Sequence, residues 1–502
     1  MHALIFGDNK YQPVRMGILR APGAHRIATL LRGRDIQTEV VAFYLDWTLD
    51  ELKQVIDAQL KKSTLFIAFS CTLMFDGVEE FHFIRDYIKS KNTNISIIIG
   101  GFGTLQKDFV GADWFVEGYG EAAIQALADH LIDNSKEIKF NVDDQDRKII
   151  YTKDLYPVND LTSLLTEYQP SDFIQTTEAL SLETARGCIF KCRFCNFQML
   201  GKKKLDYLRD PEEIRTELLD NYQRYGTTHY IITEDTFNDS DEKVEMLHSI
   251  VKSLPFKPRF MGYIRPDLLV AKPHNIKKLV ESGFTGMHFG IETFNEEAGA
   301  VIGKGMNSTR LKEMLVNLKK DYPEVYLTAT FIVGLPGETA DEIRSTAQWI
   351  LDSKTIDFWT FNPLMIMKQQ PYFYNSEFSN NYLLYGFSKL TKKELAEIEY
   401  DQQKAQLLVG NRVLPHLVLW KNKYFDYFSA AELAVEINQR ANPYKRIDAW
   451  TTFAIAGVGF DLDSIQKHTY NGINPMDQDA VINRTKEFVQ SYKQQKLKYL
   501  TT

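Results

Sequence analysis

RGCIFKCRFCNFQ, residues 186–198, places three of the chain's four cysteines within eight positions. It continues from ALSLETAR (179–186), which reads as a strand, so Cys188, Cys192 and Cys195 stand on a loop leaving a strand end in the spacing C-x3-C-x2-C. Thiolates are soft ligands that select zinc, copper(I) or iron–sulfur clusters. Structural zinc wants four closed ligands, yet no fourth cysteine or histidine lies nearby, and His229 and His288 are distant in sequence. A [4Fe-4S] cube held by three cysteines leaves one iron open to a small molecule, which is a physical reason for three. A zinc site and buried free thiols are the plainer alternatives. Gly187 permits close backbone approach. Arg186, Lys191 and Arg193 either set positive charge beside an anionic cluster or are solvated, and Phe194 either covers a flat aromatic ligand or packs.

Working outward, the loop opens a series of alternating elements. Strands are expected at HYIITED (229–235), RFMGYIR (259–265), GMHFGIET (286–293), VYLTATFIVG (325–334) and IDFWTFNP (356–363), each pair separated by a helical stretch. Between the loop and the second strand, Asp210 is expected to cap a helix with Pro211 at its first position, Glu213 closing a capping box and Gly226 past its end. Six strand–helix units in this span predict a partial (β/α)6 barrel of TIM type over 179–370, in which chemistry belongs in the loops after the strands.

Residues 1–136 alternate in the same way. ALIFG (3–7), TEVVAFYL (38–45), TLFIAFS (64–70) and ISIIIGG (95–101) read as strands, with helices between them and a last pair in WFVEGYGEAAIQALADHL. This predicts a doubly wound, Rossmann-like parallel sheet that binds ligands at the carboxyl ends of its strands. Residues 137–178 read as a connector with one or two short elements, and 371–502 as a mainly helical region. The whole is an α/β chain.

Composition bounds the function. At 502 residues several domains are expected. A 44% apolar and 25% charged composition is that of a soluble globular protein, and a net charge of −7 argues against a basic nucleic-acid surface. No apolar run is long enough to span a bilayer, and MHALIFGDNK lacks the layout of a signal peptide. Four cysteines without an export signal point to a reducing cytoplasm.

The triplet after the first strand of a partial barrel resembles the radical S-adenosylmethionine (SAM) enzymes, and the resemblance runs across about 180–365. It implies one [4Fe-4S] cluster on Cys188, Cys192 and Cys195 whose open iron chelates SAM. An electron from the cluster then cleaves the sulfonium bond to a 5'-deoxyadenosyl radical. By the same resemblance Glu234 or Asp235 in IITEDTF meets the SAM amino group, with a helix cap as the alternative, and Glu292 in GIETFNEEAGAVIGKG contacts SAM or its ribose, with Lys304 a weaker candidate. Gly334 in FIVGLPGET lies near adenine, and Met365 and Met367 line the site or pack.

Residues 1–136 are similar to the cobalamin-binding domain of some members. Ser70 and Thr72 in FSCTLMF match its S-x-T, and Gly100 and Gly101 its G-G. The D-x-H-x-x-G loop has no counterpart, since DNKYQPVRMGILRAP lacks histidine and His25 reads as helical, so base-off binding without a histidine ligand is implied. The only cysteine in this part, Cys71, leaves no room for the second cluster of methylthiotransferases. The expected function is a cobalamin-dependent methyltransferase acting on an unactivated carbon. The alternatives are cobalamin-associated rearrangement or oxidation without methyl transfer, and a first domain that no longer binds cobalamin. The implied partners are a small-molecule or peptide substrate and an external one-electron reductant of flavodoxin or ferredoxin type, without membrane or nucleic acid. The aromatic stretches PYFYNSEF and WKNKYFDYF either contact substrate or form core, and 375–502 is expected to shape or cover the pocket.

Overall fold

The computed structural model of the chain describes residues 1–7, 19–71, 78–101, 107–108, 110–157, 161, 164–176, 178–195, 208–368, 376–397, 416–441 and 478–502. Seven strands form the first sheet: β1 (His2–Gly7), β2 (Gln37–Val41), β3 (Thr64–Cys71), β4 (Ser96–Gly101), β5 (Trp114–Glu117), β6 (Asn141–Val142) and β7 (Lys148–Tyr151). Their order is 2-1-3-4-5-7-6, all parallel except the final β7–β6 pair. The stretch read as a connector thus adds a hairpin to the sheet edge. All six residues of β1 are buried, as expected for a parallel strand covered on both faces. Helices Leu49–Gln59 and Val78–Lys91 cover one face, and Pro22–Arg32 and Glu121–Ile132 the other. The first of these pairs starts on a capping box between Thr48 and Glu51. The strand order reverses between β1 and β3, so the carboxyl ends of those strands open a crevice there.

The second sheet has six parallel strands in sequence order: β8 (Leu180–Leu182), β9 (His229–Ile232), β10 (Arg259–Ile264), β11 (Phe284–Glu292), β12 (Tyr326–Val333) and β13 (Phe358–Pro363). Among the described residues β8 and β13 are the edges, so this sheet is an open, partial barrel. Its outer residues, among them Leu182, Ile232, Phe289 and Phe331, form the largest core with the surrounding helices. Helix Pro211–Tyr225 begins on the expected Asp210 cap and Pro211, the Asp210 side chain accepting from the Glu212 and Glu213 amides in a one-way cap where a capping box was expected, and ends on Gly226 at φ +67°.

Two C-terminal helices go to different places. Helix Tyr427–Ala441 packs on β13, where Asn438 brackets the edge by accepting from the Phe361 amide (2.9 Å) and donating to its carbonyl (2.8 Å). Helix Gln478–Thr501 returns to the first sheet and lies on helix Leu49–Gln59, burying Phe488, Val489, Tyr492 and Leu500. The Tyr492 hydroxyl accepts from the Ala42 amide (2.9 Å), and buried Lys496 reaches Glu39 (2.7 Å) and the Ser171 carbonyl (2.8 Å). This helix covers the flank of the first sheet, where the sequence reading expected the region to cover a pocket. No helix among the described residues is long and apolar enough to cross a membrane.

Candidate functional site

The carboxyl ends of β1, β3, β4 and β5 surround a largely apolar cavity of about 330 Å³, in the size range of small-ligand sites. Ser70, Gly100 and Gly101 line it, facing Gly23 and Ala24 of helix Pro22–Arg32. Gly101 has φ +80°, and a Cβ there would collide with the Cys71 carbonyl oxygen, so only glycine closes this wall. Thr72 lies outside the described residues. Among the described lining residues there is no histidine. His25 is buried against the Tyr168 ring (4.8 Å) and Asp172 (3.8 Å), and burial holds its imidazole down to about 3. It packs on the helix where the sequence placed it. A glycine-lined cradle without an imidazole fits a cobalamin held without a protein histidine on cobalt.

The far wall of the cavity belongs to the barrel: Ser181, Glu183, Arg186 and Thr233. The cavity therefore sits at the seam of the two sheets, and a buried charge network crosses that seam. Arg186 donates to Glu183 (Nε–Oε1 2.7 Å, Nη2–Oε2 3.1 Å) and to Glu121 at the start of helix Glu121–Ile132. Arg26 donates to Glu183 (2.9 Å) and to the Thr166 hydroxyl (2.8 Å). Burial pushes the Glu183 carboxyl up, but Arg186 and Arg26 outweigh it and hold it at about 2. The Tyr119 ring lies 4.0 Å from the Arg186 guanidinium. Arg186 is only 7% exposed, which corrects the alternative of a solvated charge. Its charge is matched within the seam.

The cysteine loop turns out of the barrel at Gly187 (φ +72°). Cys192 is buried and Cys188 and Cys195 half-buried, with the Cys195 amide closing a turn onto the Cys192 carbonyl (3.0 Å). Cys188 Sγ lies 3.6 Å from the Thr236 hydroxyl, and burial pushes its thiol up. Arg193 ties the loop to helix Glu296–Val301, donating from its backbone to Ile302 (3.0 Å) and from its guanidinium to the Ala300 and Val301 carbonyls. Its charge serves that helix C-terminus. Lys191 is exposed, and Phe194 is half-buried against the barrel core with Lys304 Nζ 5.9 Å from its ring. Among the described residues no three Cys, His, Asp or Glu side chains are already gathered as a metal site. Three soft thiols on one short loop, with no carboxylate or imidazole completing the set among the described residues, are the donor chemistry that would suit a cluster.

Glu234 and Asp235 are neighbours in a bend just beyond β9. Glu234 turns under the strands: one oxygen accepts from the Thr184 hydroxyl (2.6 Å) and from the Thr184 and Ala185 amides. It is 3% exposed and fastens the strand that launches the cysteine loop. Asp235 is half-buried, and its charge acts on Cys188 and Tyr119, which puts it on the side of the loop and the cavity. Glu292 ends β11 at φ +69°, a conformation rare outside glycine, with Lys304 Nζ on its Oε1 (2.8 Å) and on the Gly290 carbonyl (2.7 Å). A part-buried ion pair holds the backbone in that conformation.

Gly334 ends β12 at φ +96°, where a Cβ would collide with the Trp420 ring, and its carbonyl accepts from Asn422 (2.9 Å). Its neighbours are the C-terminal segment. Glu338, five residues on from β12, accepts from the Thr293 hydroxyl (2.5 Å), and burial pushes its carboxyl up to about 8. Met367 is core, bridged to Leu417, while Met365 is exposed. Phe378, Trp420, Phe425 and Tyr427 are buried core, and 371–375 lie outside the described residues. Arg265, at the end of β10, escaped the sequence reading: Nη1 donates to Cys192 Sγ at 3.3 Å. The rule that chemistry follows barrel strand ends was the available signal, but no motif singled it out.

The Radical SAM superfamily model matches residues 182–350. The ribosomal protein uS12 methylthiotransferase RimO of Campylobacter jejuni is 29% identical over 180 residues, 34% of this chain and 40% of RimO. The chain therefore spans 40% of the length of that curated relative. Among solved structures, the radical SAM methyltransferase TsrM of Kitasatospora setae, with cobalamin and a [4Fe-4S] cluster bound, superposes with a TM-score of 0.68 at 15% identity. That match covers 97% of this chain and 99% of TsrM. The cobalamin-dependent SAM radical enzyme OxsB matches with a TM-score of 0.54 at 15% identity, covering 99% and 79%. These likenesses establish the fold across both sheets.

Proposed function

The chain carries a radical SAM domain over 182–350, and from that premise we propose a cobalamin-dependent radical SAM enzyme, specifically a methyltransferase acting on an unactivated carbon. One observation carries the reading: the cysteine loop and the glycine-walled cavity meet at a single seam, with Arg186 on the cavity wall two residues ahead of Cys188. Cys188, Cys192 and Cys195 would hold the cluster. Asp235 and Glu292 would meet SAM, with Phe194 against it, and Gly334 would act through the packing of the C-terminal segment. Glu234 would position the loop. Ser70, Thr72, Gly100 and Gly101 would face the cobalamin. When bound, these groups supply reductive cleavage of the SAM sulfonium bond and a carrier for its methyl group. The residues of the chain bind and orient them and exclude water at the seam. TsrM, a methyltransferase solved with a tryptophan substrate and a SAM analogue, supports the methyl-transfer form.

The division into a cobalamin domain (1–136), a connector (137–178), a barrel (179–370) and a C-terminal region (371–502) belongs to the same proposal. So do a cytoplasmic setting, a small-molecule or peptide substrate, and a flavodoxin- or ferredoxin-type electron donor. Anaerobic reconstitution tests it. About four irons per chain, 5'-deoxyadenosine on SAM turnover and a cobalamin absorption spectrum are expected. Absence of 5'-deoxyadenosine would sink the radical SAM reading. Turnover without S-adenosylhomocysteine would leave cobalamin-linked rearrangement or oxidation instead.

A further inference from the structure

Arg265 stands at the carboxyl end of β10 and is 7% exposed. Its backbone is fixed by Asn238, which accepts from the Arg265 amide (2.7 Å) and donates to its carbonyl (2.9 Å). Its Nε donates to both oxygens of Asp267 (2.8 and 2.9 Å), and the Phe190 ring lies 3.8 Å from the guanidinium carbon. Nη1 is left aimed at Cys192 Sγ, 3.3 Å away. Burial works against the charge on this side chain, but Asp267 and Cys192 outweigh it. Phe190 and Cys192 both belong to the cysteine loop, so one guanidinium grips that loop by a stack and a hydrogen bond.

We propose that Arg265 tunes the cluster, its guanidinium donating to the Cys192 sulfur and so raising the cluster's reduction potential. A guanidinium only donates and does not lose its proton, so its partner sulfur must accept, as a cluster thiolate does. Reduction adds one negative charge to the cluster. A fixed positive donor on a ligating sulfur stabilises that added charge, and hydrogen bonds to sulfur are among the levers that set cluster potentials. Because the side chain is already held from three sides, little ordering is needed when the cluster forms. The inference rests on the radical SAM reading above, and it assigns a role to a residue outside the cysteine motif.

The test is an EPR-monitored redox titration of the reconstituted full chain without SAM, comparing wild type, R265K, R265Q and R265M. R265M is expected to reduce the ratio of reduced to oxidised cluster at least tenfold at a given potential, a fall of 59 mV for a one-electron couple. R265K, which keeps the charge but loses the fork, and R265Q, which keeps a neutral N–H, are expected to fall between. If R265M takes up no iron, R265Q carries the comparison. An unshifted midpoint at full iron content would overturn the proposal and leave Arg265 a packing residue. Folded but cluster-free R265M and R265Q would overturn it in favour of a role in cluster loading. Wild-type iron content and SAM cleavage report the radical SAM reading separately. A SAM-cleaving wild type with an unshifted variant removes only this inference, and a wild type that holds no cluster removes both.

Discussion

Replacing Arg186 by methionine would remove one of the cations that, like Arg26, cross the seam, while keeping much of its apolar stem. Two carboxylates lose a partner, unequally. Glu183 retains Arg26 at 2.9 Å. Glu121 loses its ion-pair partner, and its second oxygen already has no hydrogen bond, so it is left as a buried charge. Removing one member of a buried pair costs about 3–5 kcal/mol. With one of the two carboxylates still compensated, the loss should lie near the lower end, about 3 kcal/mol. Urea unfolding of the full chain measures it, followed by tryptophan fluorescence and circular dichroism so that separate unfolding of the two sheets is visible. The double variant R186M/E121Q decides the mechanism. Neutralising the stranded carboxylate should return roughly 1–2 kcal/mol, because the penalty lies in an unpaired charge more than in a missing attraction. A loss below about 1 kcal/mol in R186M, or a double variant less stable than the single one, would refute the claim that the network is buried and coupled. Since Arg186 stands two residues ahead of Cys188, R186M should also take up less iron on reconstitution.

Three further outcomes follow from the same geometry. Tyr492→Phe strips the acceptor from the buried Ala42 amide and should cost about 1–3 kcal/mol in urea unfolding; a neutral effect would mean that the terminal helix is loosely held. Gly101→Ala adds a methyl group against the Cys71 carbonyl at a positive φ, strain of about 1–3 kcal/mol before the collision is counted. Cobalamin titration should show at least tenfold weaker uptake, and unchanged uptake would place the ligand elsewhere. The pH dependence carries a signed contribution from His25, whose imidazole stays neutral in the folded chain down to about 3, whereas an unfolded histidine protonates near 6.5. Its contribution to stability is complete above pH 6.5 and declines as pH falls toward 3, by about 1.4 kcal/mol per unit. Glu338, held up to about 8, runs the other way, so the informative quantity is a difference. Between pH 7 and 5 the wild type should lose about 2 kcal/mol more than H25Q, and parallel profiles would contradict a buried neutral His25.

The strands of both sheets were legible because their apolar runs alternate with helices of clear period and explicit caps. ISIIIGG, GMHFGIET and the Asp210–Pro211 start all appear where their patterns put them. The connector gave less away, since the β6–β7 hairpin is short and polar and pairs only through a distant strand. The site was legible to the extent that it is local. Three cysteines and a G-G pair announce themselves through spacing, whereas Arg186, Arg265 and Glu121 acquire their roles from partners far along the chain. Glu234 and Asp235 show the limit most plainly. Adjacent carboxylates look interchangeable in sequence, and only the Thr184 hydroxyl and the Thr184–Ala185 amides draw one inward and leave the other beside the loop. The docking of helix Gln478–Thr501 on the first sheet is another case, because an amphipathic helix carries no address for the surface it will cover.

That docking bears on how the chain is made. Phe43, Trp47 and Val55 lie in one apolar cluster with Phe488 and Tyr492, so the flank of the first sheet emerges from the ribosome long before its cover does. At roughly 5–20 residues per second the interval is on the order of tens of seconds, during which a greasy surface on a newly made sheet faces water or a chaperone. Expression with the terminal helix displaced or blocked should therefore yield aggregates of the first-made part of the chain, even though the change lies at the last-made part.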